Sequence, residues 1–153
     1  MKTLAVDTAA LVSLGHTDLV DAIIENYDIL ISKSVLEELE EIGARDDLDA
    51  EAARVWLDRS SDLNMMNLDK KDSAEDELFE VCREKDLELF TDDIKAVKTF
   101  KDDIDCLFSV HIVYLLYKKD IISKEKALFS VDKMKTNRDW KQNIIAITSK
   151  TLF

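Results

Sequence analysis

Acidic residues recur in this 153-residue chain at one kind of place, just beyond a short apolar run. Asp7 follows Leu4-Ala5-Val6. Glu37 and Glu38 lie about one helical turn beyond Ile29-Leu30-Ile31. Asp72, Glu75 and Asp76 follow the run from Leu63 to Leu68, and Asp92 and Asp93 follow Leu87 to Thr91. If each run is a buried strand leading into a helix, the groups gather at the carboxyl edge of one parallel sheet. There, in open α/β sheets, ligands bind where the strand order reverses. Carboxylates sharing a crevice repel and raise each other's pKa, and a divalent cation relieves the repulsion. Hard oxygen donors without a soft partner select Mg²⁺ or Mn²⁺ rather than zinc.

The elements that must hold these residues follow from pattern and caps. Leu4 to Val6 reads as a strand, and Thr8 opens an apolar helix that Gly15 stops. A short helix over 17–26 precedes the second strand at Ile29-Leu30-Ile31. Ser32 or Ser34 caps the next helix, with Val35, Leu36, Leu39 and Ile42 as its buried stripe and Gly43 at its end. Residues 47–60 are helical, Leu63 to Leu68 is the third strand, and Asp72 or Ser73 caps a helix running to Lys85. Leu87 to Thr91 is the fourth strand, and Asp92 and Asp93 open a helix burying Ile94, Val97 and Phe100. Beyond Ile104 the pattern is helical, with helices near 106–118, 123–135 and 138–148. Strands alternating with helices predict a three-layer α/β/α sandwich around a short, central parallel sheet. The length predicts a single domain over 1–153, mainly helical from about 106.

Composition narrows the function classes. With 46% hydrophobic and 35% charged residues, the chain has a globular rather than a disordered balance. It has no Pro, and its two glycines, Gly15 and Gly43, exclude a glycine-rich phosphate loop. No apolar stretch is long enough for a bilayer, so no membrane partner is expected. The first seven residues lack the apolar core of a signal peptide. Cys82 and Cys106 provide neither a disulfide framework nor zinc spacing. Both features suit a cytoplasmic protein. His16 and His111 belong to no nucleophilic triad. Cys82 and Cys106, like Trp56 and Trp140, read as packing residues.

The net charge of −12 repels nucleic acid overall, but it is unevenly spread. Residues 1–93 hold 9 basic and 26 acidic side chains, whereas residues 94–153 hold 12 and 7. The basic part is the expected contact for a phosphate backbone. Lys95 and Lys98 are the foremost candidates, because they follow Asp93 on one helix, and Lys118, Lys119, Lys124 and Lys126 would extend the track. The competing expectation makes these lysines a solvated face or the contact surface of a homodimer.

Four motifs resemble those of one family. Val6-Asp7-Thr8-Ala9-Ala10-Leu11-Val12 is similar to the first acidic motif of PIN domains, and Val35-Leu36-Glu37-Glu38-Leu39 to the second. Glu75-Asp76-Glu77-Leu78 resembles the third, and Leu89-Phe90-Thr91-Asp92-Asp93 the fourth, in the same order over residues 1 to about 105. The resemblance, to VapC-type toxins and stand-alone prokaryotic PIN proteins, implies a metal-dependent ribonuclease acting on single-stranded RNA. It implies Asp7, Glu38, Glu75 and Asp93 as catalytic metal ligands, with Asp92 as an outer or second-metal partner. Thr8 and Thr91 would orient carboxylates by hydrogen bonds. Asp72 competes with Glu75 for the third position, and Ala9 stands where many members carry a polar residue. A basic antitoxin-like protein is an expected partner for the acidic face. The alternative is a catalytically inactive PIN-like scaffold serving as an interaction or RNA-processing module. A haloacid-dehalogenase-like phosphatase would need an acid at position 9, and a receiver domain would need a phosphoacceptor Asp after the third strand.

Each acid also has a plain structural reading. Asp7 would be a helix N-cap, Glu38 a solvated helix residue, and Glu75 and Asp93 first-turn acids favoured by the macrodipole.

Overall fold

The computed structural model describes residues 1–66, 74–140 and 143–153, with side chains omitted at 66 and 74–76. Five strands form one parallel sheet: β1 (Lys2–Val6), β2 (Tyr27–Ser32), β3 (Asn64–Met66), β4 (Leu89–Phe90) and β5 (Cys106–Leu107), in the order β3-β2-β1-β4-β5. The helices among the described residues are α1 (Thr8–Gly15), α2 (Val20–Asn26), α3 (Lys33–Gly43), α4 (Leu48–Leu57), α5 (Ala74–Lys85), α6 (Ile94–Phe100), α7 (Ser109–Lys118), α8 (Lys124–Asn137) and α9 (Ile144–Leu152). They sandwich the sheet in a three-layer α/β/α arrangement. β1 lies centrally, with Leu4 opposite Ile29 on one side and Val6 opposite Phe90 on the other. The chain winds from β1 out to β3 and then crosses back to β4, so the strand order reverses between β1 and β4. No helix among the described residues is long and apolar enough to cross a membrane.

Apolar strands make this sheet because both its faces are covered. Leu4, Ala5, Val6, Ile29, Ile31, Leu89 and Phe90 are almost wholly inaccessible, and the same core continues through Ile112, Val113 and Leu116 of α7 to Ala146 of α9. The helical tail is therefore continuous with the core of the sheet. Trp56 is fully buried on α4 and donates its indole N–H to the Leu11 carbonyl at 2.6 Å, while Trp140 is 8% exposed. Both pack helices, as their sequence context indicates.

One local expectation changes. The helical pattern after Ile104 does not start at 106: Cys106 and Leu107 form β5, a fifth parallel strand. Their segment is drawn into the sheet by β4, whose Leu89 N–H and following Thr91 N–H donate to the Asp105 and Leu107 carbonyls at 2.9 and 2.8 Å. The glycines do close their helices, α1 ending at Gly15 and α3 at Gly43, although neither has a positive φ. Gly15 also permits close approach: a Cβ there would stand 2.4 Å from the Ala52 backbone oxygen of α4.

The left-handed positions at helix ends are occupied by aspartates. Asp86, Asp120 and Asp139 have φ of 54°, 58° and 55°. In each case the next residue's N–H bonds back to a carbonyl five residues earlier: Leu87 to Cys82, Ile121 to Leu116 and Trp140 to Lys135. These are Schellman-type ends, for which Asp is a tolerated substitute for glycine.

Gly15→Ala tests the close approach. The new methyl meets backbone, which cannot rotate away, so overpacking of about 1–3 kcal/mol outweighs a helix-propensity gain of at most about 1 kcal/mol. Urea unfolding should show a net loss of stability, and an equal or greater stability would contradict the packing account.

Candidate metal centre

The reversal point brings Asp7 and the β4 end together. Asp7 leaves β1 still paired to β4, its N–H donating to the Phe90 carbonyl at 3.0 Å. Its side chain then caps α1, with Oδ1 accepting the Ala10 N–H at 3.0 Å. The plain reading of Asp7 as an N-cap thus holds, and the same carboxylate also faces a cavity. Its Oδ2 accepts the Thr91 hydroxyl proton. Thr91 is fully buried, and its Oγ1 also accepts the Asp93 N–H at 3.0 Å. One hydroxyl therefore ties the first acid to the backbone of the last.

Asp93 caps α6, its Oδ1 accepting the N–H groups of Lys95 at 2.9 Å and Ala96 at 3.4 Å. Its Oδ2 accepts no hydrogen bond from the described residues. Glu38 projects from the second turn of α3, whose N-cap is Ser32, with its Oγ accepting the Val35 N–H at 3.2 Å. Asp7, Glu38 and Asp93 line a single cavity of about 300 Å³. Thr8 lines it too. Thr8 is 7% exposed, and its Oγ1 meets no partner among the described residues.

The remaining candidates lie elsewhere. Asp92 does not line the cavity: its Oδ1 and Oδ2 accept the Ser109 N–H and hydroxyl at 2.8 and 2.6 Å, fastening the start of α7. Asp72 and the side chains of Glu75 and Asp76 fall outside what the structure describes. The neighbouring Glu77 is buried and accepts the Ser34 hydroxyl of α3. Lys95 and Lys98 are exposed on α6, and neither lines the cavity. His111 turns its Nδ1 to the Phe108 N–H at 3.0 Å, an N-terminal cap for α7, and burial holds its imidazole below the ordinary range.

Three cavity residues have no counterpart in the sequence reading: Asp49, Arg45 and Arg138. Asp49 sits in the first turn of α4 and reads locally as a macrodipole acid. Arg138 is the C-cap of α8, 89 residues away, and its Nη1 donates to Asp49 Oδ2 at 2.8 Å. No local spacing announces that pair. His16, set aside in the sequence as unpaired, contacts Asp49 Oδ1 through Nε2 at 2.8 Å.

Electrostatically the cavity has two halves. Burial is the largest influence on Asp7 and raises it from 3.8 to about 7, with Asp92 and Asp93 adding to the rise. The hydrogen bonds from Thr91 and Ala10 offset only part of this. Burial likewise holds Asp92 above the ordinary range, against the hydrogen bonds of Ser109. Across the cavity, burial also works on Asp49. There the His16 hydrogen bond and Arg138 overcome it, and the carboxyl lies below the ordinary range.

The donor set is oxygen throughout, as Mg²⁺ or Mn²⁺ requires. Among the described residues no three His, Cys, Asp or Glu side chains form a preassembled ligand cluster. The cavity's oxygen donors that could hold a cation are the carboxylates of Asp7, Asp93 and Glu38, which share its lining without forming such a cluster.

No family model and no curated protein matches the chain. A solved domain of a functionally unknown protein from Methanocaldococcus jannaschii DSM 2661 is similar in fold. The TM-score is 0.50 at 20% identity, over 71% of this chain and 91% of that domain. At that identity the likeness bears on the fold alone.

The Asp7 shift sets a pH dependence. A carboxyl whose pKa is raised on folding stabilises the protein fully below about pH 4, and that contribution is lost as pH rises through about 7. The metal-free wild type should lose up to about 1.4 kcal/mol per pH unit across that window relative to Asp7→Asn, which cannot ionise. Urea melts of both proteins in EDTA from pH 4 to 8 measure the difference. A difference that stays constant with pH would show Asp7 to be an ordinary ionised cap.

Proposed function

We propose that the cavity between β1 and β4 is a divalent-metal site for hydrolysing phosphodiester bonds of single-stranded RNA, as the PIN-domain resemblance implies. One observation carries the reading: Asp7, Glu38 and Asp93, from three separate segments of the chain, line one cavity at the point where strand order reverses. Asp7 and Asp93 are the residues to hold Mg²⁺ or Mn²⁺, and Glu38 completes the acidic rim. The lack of a preassembled three-ligand cluster among the described residues is compatible with Mg²⁺, which keeps several waters and takes one or two carboxylates. When bound, the metal supplies an activated water and neutralises charge on the scissile phosphate.

The chain's own residues prepare that chemistry. Thr91 fixes the rotamer of Asp7 and, through the Asp93 N–H, the start of α6. The helix-capping bonds leave each carboxylate little freedom to move. Two free thiols, Cys82 and Cys106, suit work in a reducing cytoplasm.

A second reading is favoured by the two guanidinium groups already lining the cavity and by the lack of a three-ligand cluster among the described residues. In it the domain is a non-catalytic PIN-like scaffold whose acidic face docks a basic, antitoxin-like protein.

Cleavage of an unstructured RNA oligonucleotide in Mn²⁺ separates the two. The hydrolase reading expects cleavage that EDTA stops and that Asp7→Asn reduces by about 100-fold or more, a loss of the size seen when a key electrostatic group is removed. Mn²⁺ at a hundred times its Kd should stabilise the wild type by about 2.7 kcal/mol and Asp7→Asn far less. Full activity in Asp7→Asn, or no cleavage by the wild type, would move the assignment to the scaffold.

A further inference from the structure

The cavity that Asp7 lines also holds a guanidinium fixed by an ion pair yet part-exposed, that of Arg138. Arg138 stands at the end of α8, where the Schellman turn through Asp139 and Trp140 sets its backbone. Its Nη1 donates to Asp49 Oδ2 at 2.8 Å. The other Asp49 oxygen contacts His16 Nε2 at 2.8 Å, and His16 Nδ1 meets the Asn137 amide at 3.3 Å. This relay joins the ends of α1 and α8 to the first turn of α4. Both Asp49 oxygens are engaged, and its charge is answered on both sides.

Arg138 is not answered in the same way. A guanidinium has five N–H donors and no acceptor. The Arg138 Nε is inaccessible and meets no acceptor among the described residues, whereas Nη2 donates to no group among them and the side chain is one-fifth exposed, so Nη2 is the donor a ligand can reach. The side chain lines the cavity that also holds Asp7 and Asp93, and it is near enough to pull the Asp92 carboxyl downward. Arg45 lines the same cavity, but it is an exposed surface side chain whose Nε pairs with Asp47. Lys95 and Lys98 do not reach it.

We propose that Arg138 is the phosphate-holding residue of the cavity: a phosphodiester oxygen of single-stranded RNA accepts an N–H of its Nη2, while Asp49, His16 and Asn137 hold the guanidinium in place. The identity of the anion as RNA rests on the hydrolase reading; the anion subsite rests on Arg138 itself. The fixed fork of Arg matches a phosphate in a way that a mobile lysine does not. Its ordering cost is met on folding rather than on binding. Beside the exposed Arg45, it adds a fixed positive group to an acidic cavity on a protein of net charge −12, which an approaching phosphate requires.

The test titrates the dinucleotide UpU into the ¹⁵N-labelled wild type, in Ca²⁺ and again in EDTA. It follows the Arg138 Nε–H NMR signal, assigned by its disappearance in Arg138→Lys. The expected result is a saturable shift of that signal; a signal unmoved under both conditions overturns the proposal, and this arm needs no variant to bind. The second arm measures cleavage of a uridine-rich RNA in Mn²⁺. Arg138→Gln should raise KM by about 10-fold or more, the scale of a lost charge-assisted contact, with kcat changed much less and with partial rescue by Arg138→Lys. Cleavage at wild-type KM in a folded Arg138→Gln overturns the phosphate role and leaves the hydrolase reading standing. UpU capture at Arg138 without Mn²⁺-dependent cleavage supports the subsite and removes the hydrolase reading.

Discussion

Thr91 has a single hydroxyl proton and two acceptor lone pairs, and both capacities are in use. The proton goes to Asp7 and a lone pair takes the Asp93 N–H. The residue is fully buried, and its own N–H is held by the Leu107 carbonyl of β5. Its position is therefore set by the sheet. Through it the sheet dictates where the β1 acid points and where α6 begins. Were the hydroxyl absent, Asp7 would keep its bond to Ala10 but lose the contact that joins it to β4.

The acids of the cavity are at the same time its structural parts. Asp7 and Asp93 each cap a helix, and Asp92 fastens a third helix through Ser109. In Asp7 and Asp93 the cap is made by Oδ1 alone. The cost is electrostatic. Burial raises Asp7 and Asp92, whereas Asp49, partnered by His16 and Arg138, falls below the ordinary range. Asp49 thus has a cation built in beside it, whereas among the described residues no cationic side chain pairs with Asp7.

The charge segregation along the chain gains a specific meaning here. The basic C-terminal part reaches the cavity through Arg138 at the end of α8, not through the lysines of α6. It can do so because α7 and α9 share the core of the sheet, which brings a residue late in the chain beside the first strand.

By itself the sequence determined the alternation of strands and helices, the parallel sheet, and the placing of acids after strands. Those features follow from periodicity and capping, which act over a few residues. The placement of Asp7 and Asp93 was legible for the same reason, since each immediately follows a short apolar strand. β5 escaped because two residues show no alternation, and only pairing with β4 makes them a strand. The division of labour between neighbouring acids was also decided tertiarily. Asp92 and Asp93 are adjacent and chemically identical, yet one is engaged by Ser109 and the other opens on the cavity. The Asp49–His16–Arg138 relay spans segments far apart in the chain, and nothing in the local spacing of any one of them depends on the other two. Hydrogen bonds between distant segments exist only after the core has packed, so the tertiary structure alone could decide which charges face each other.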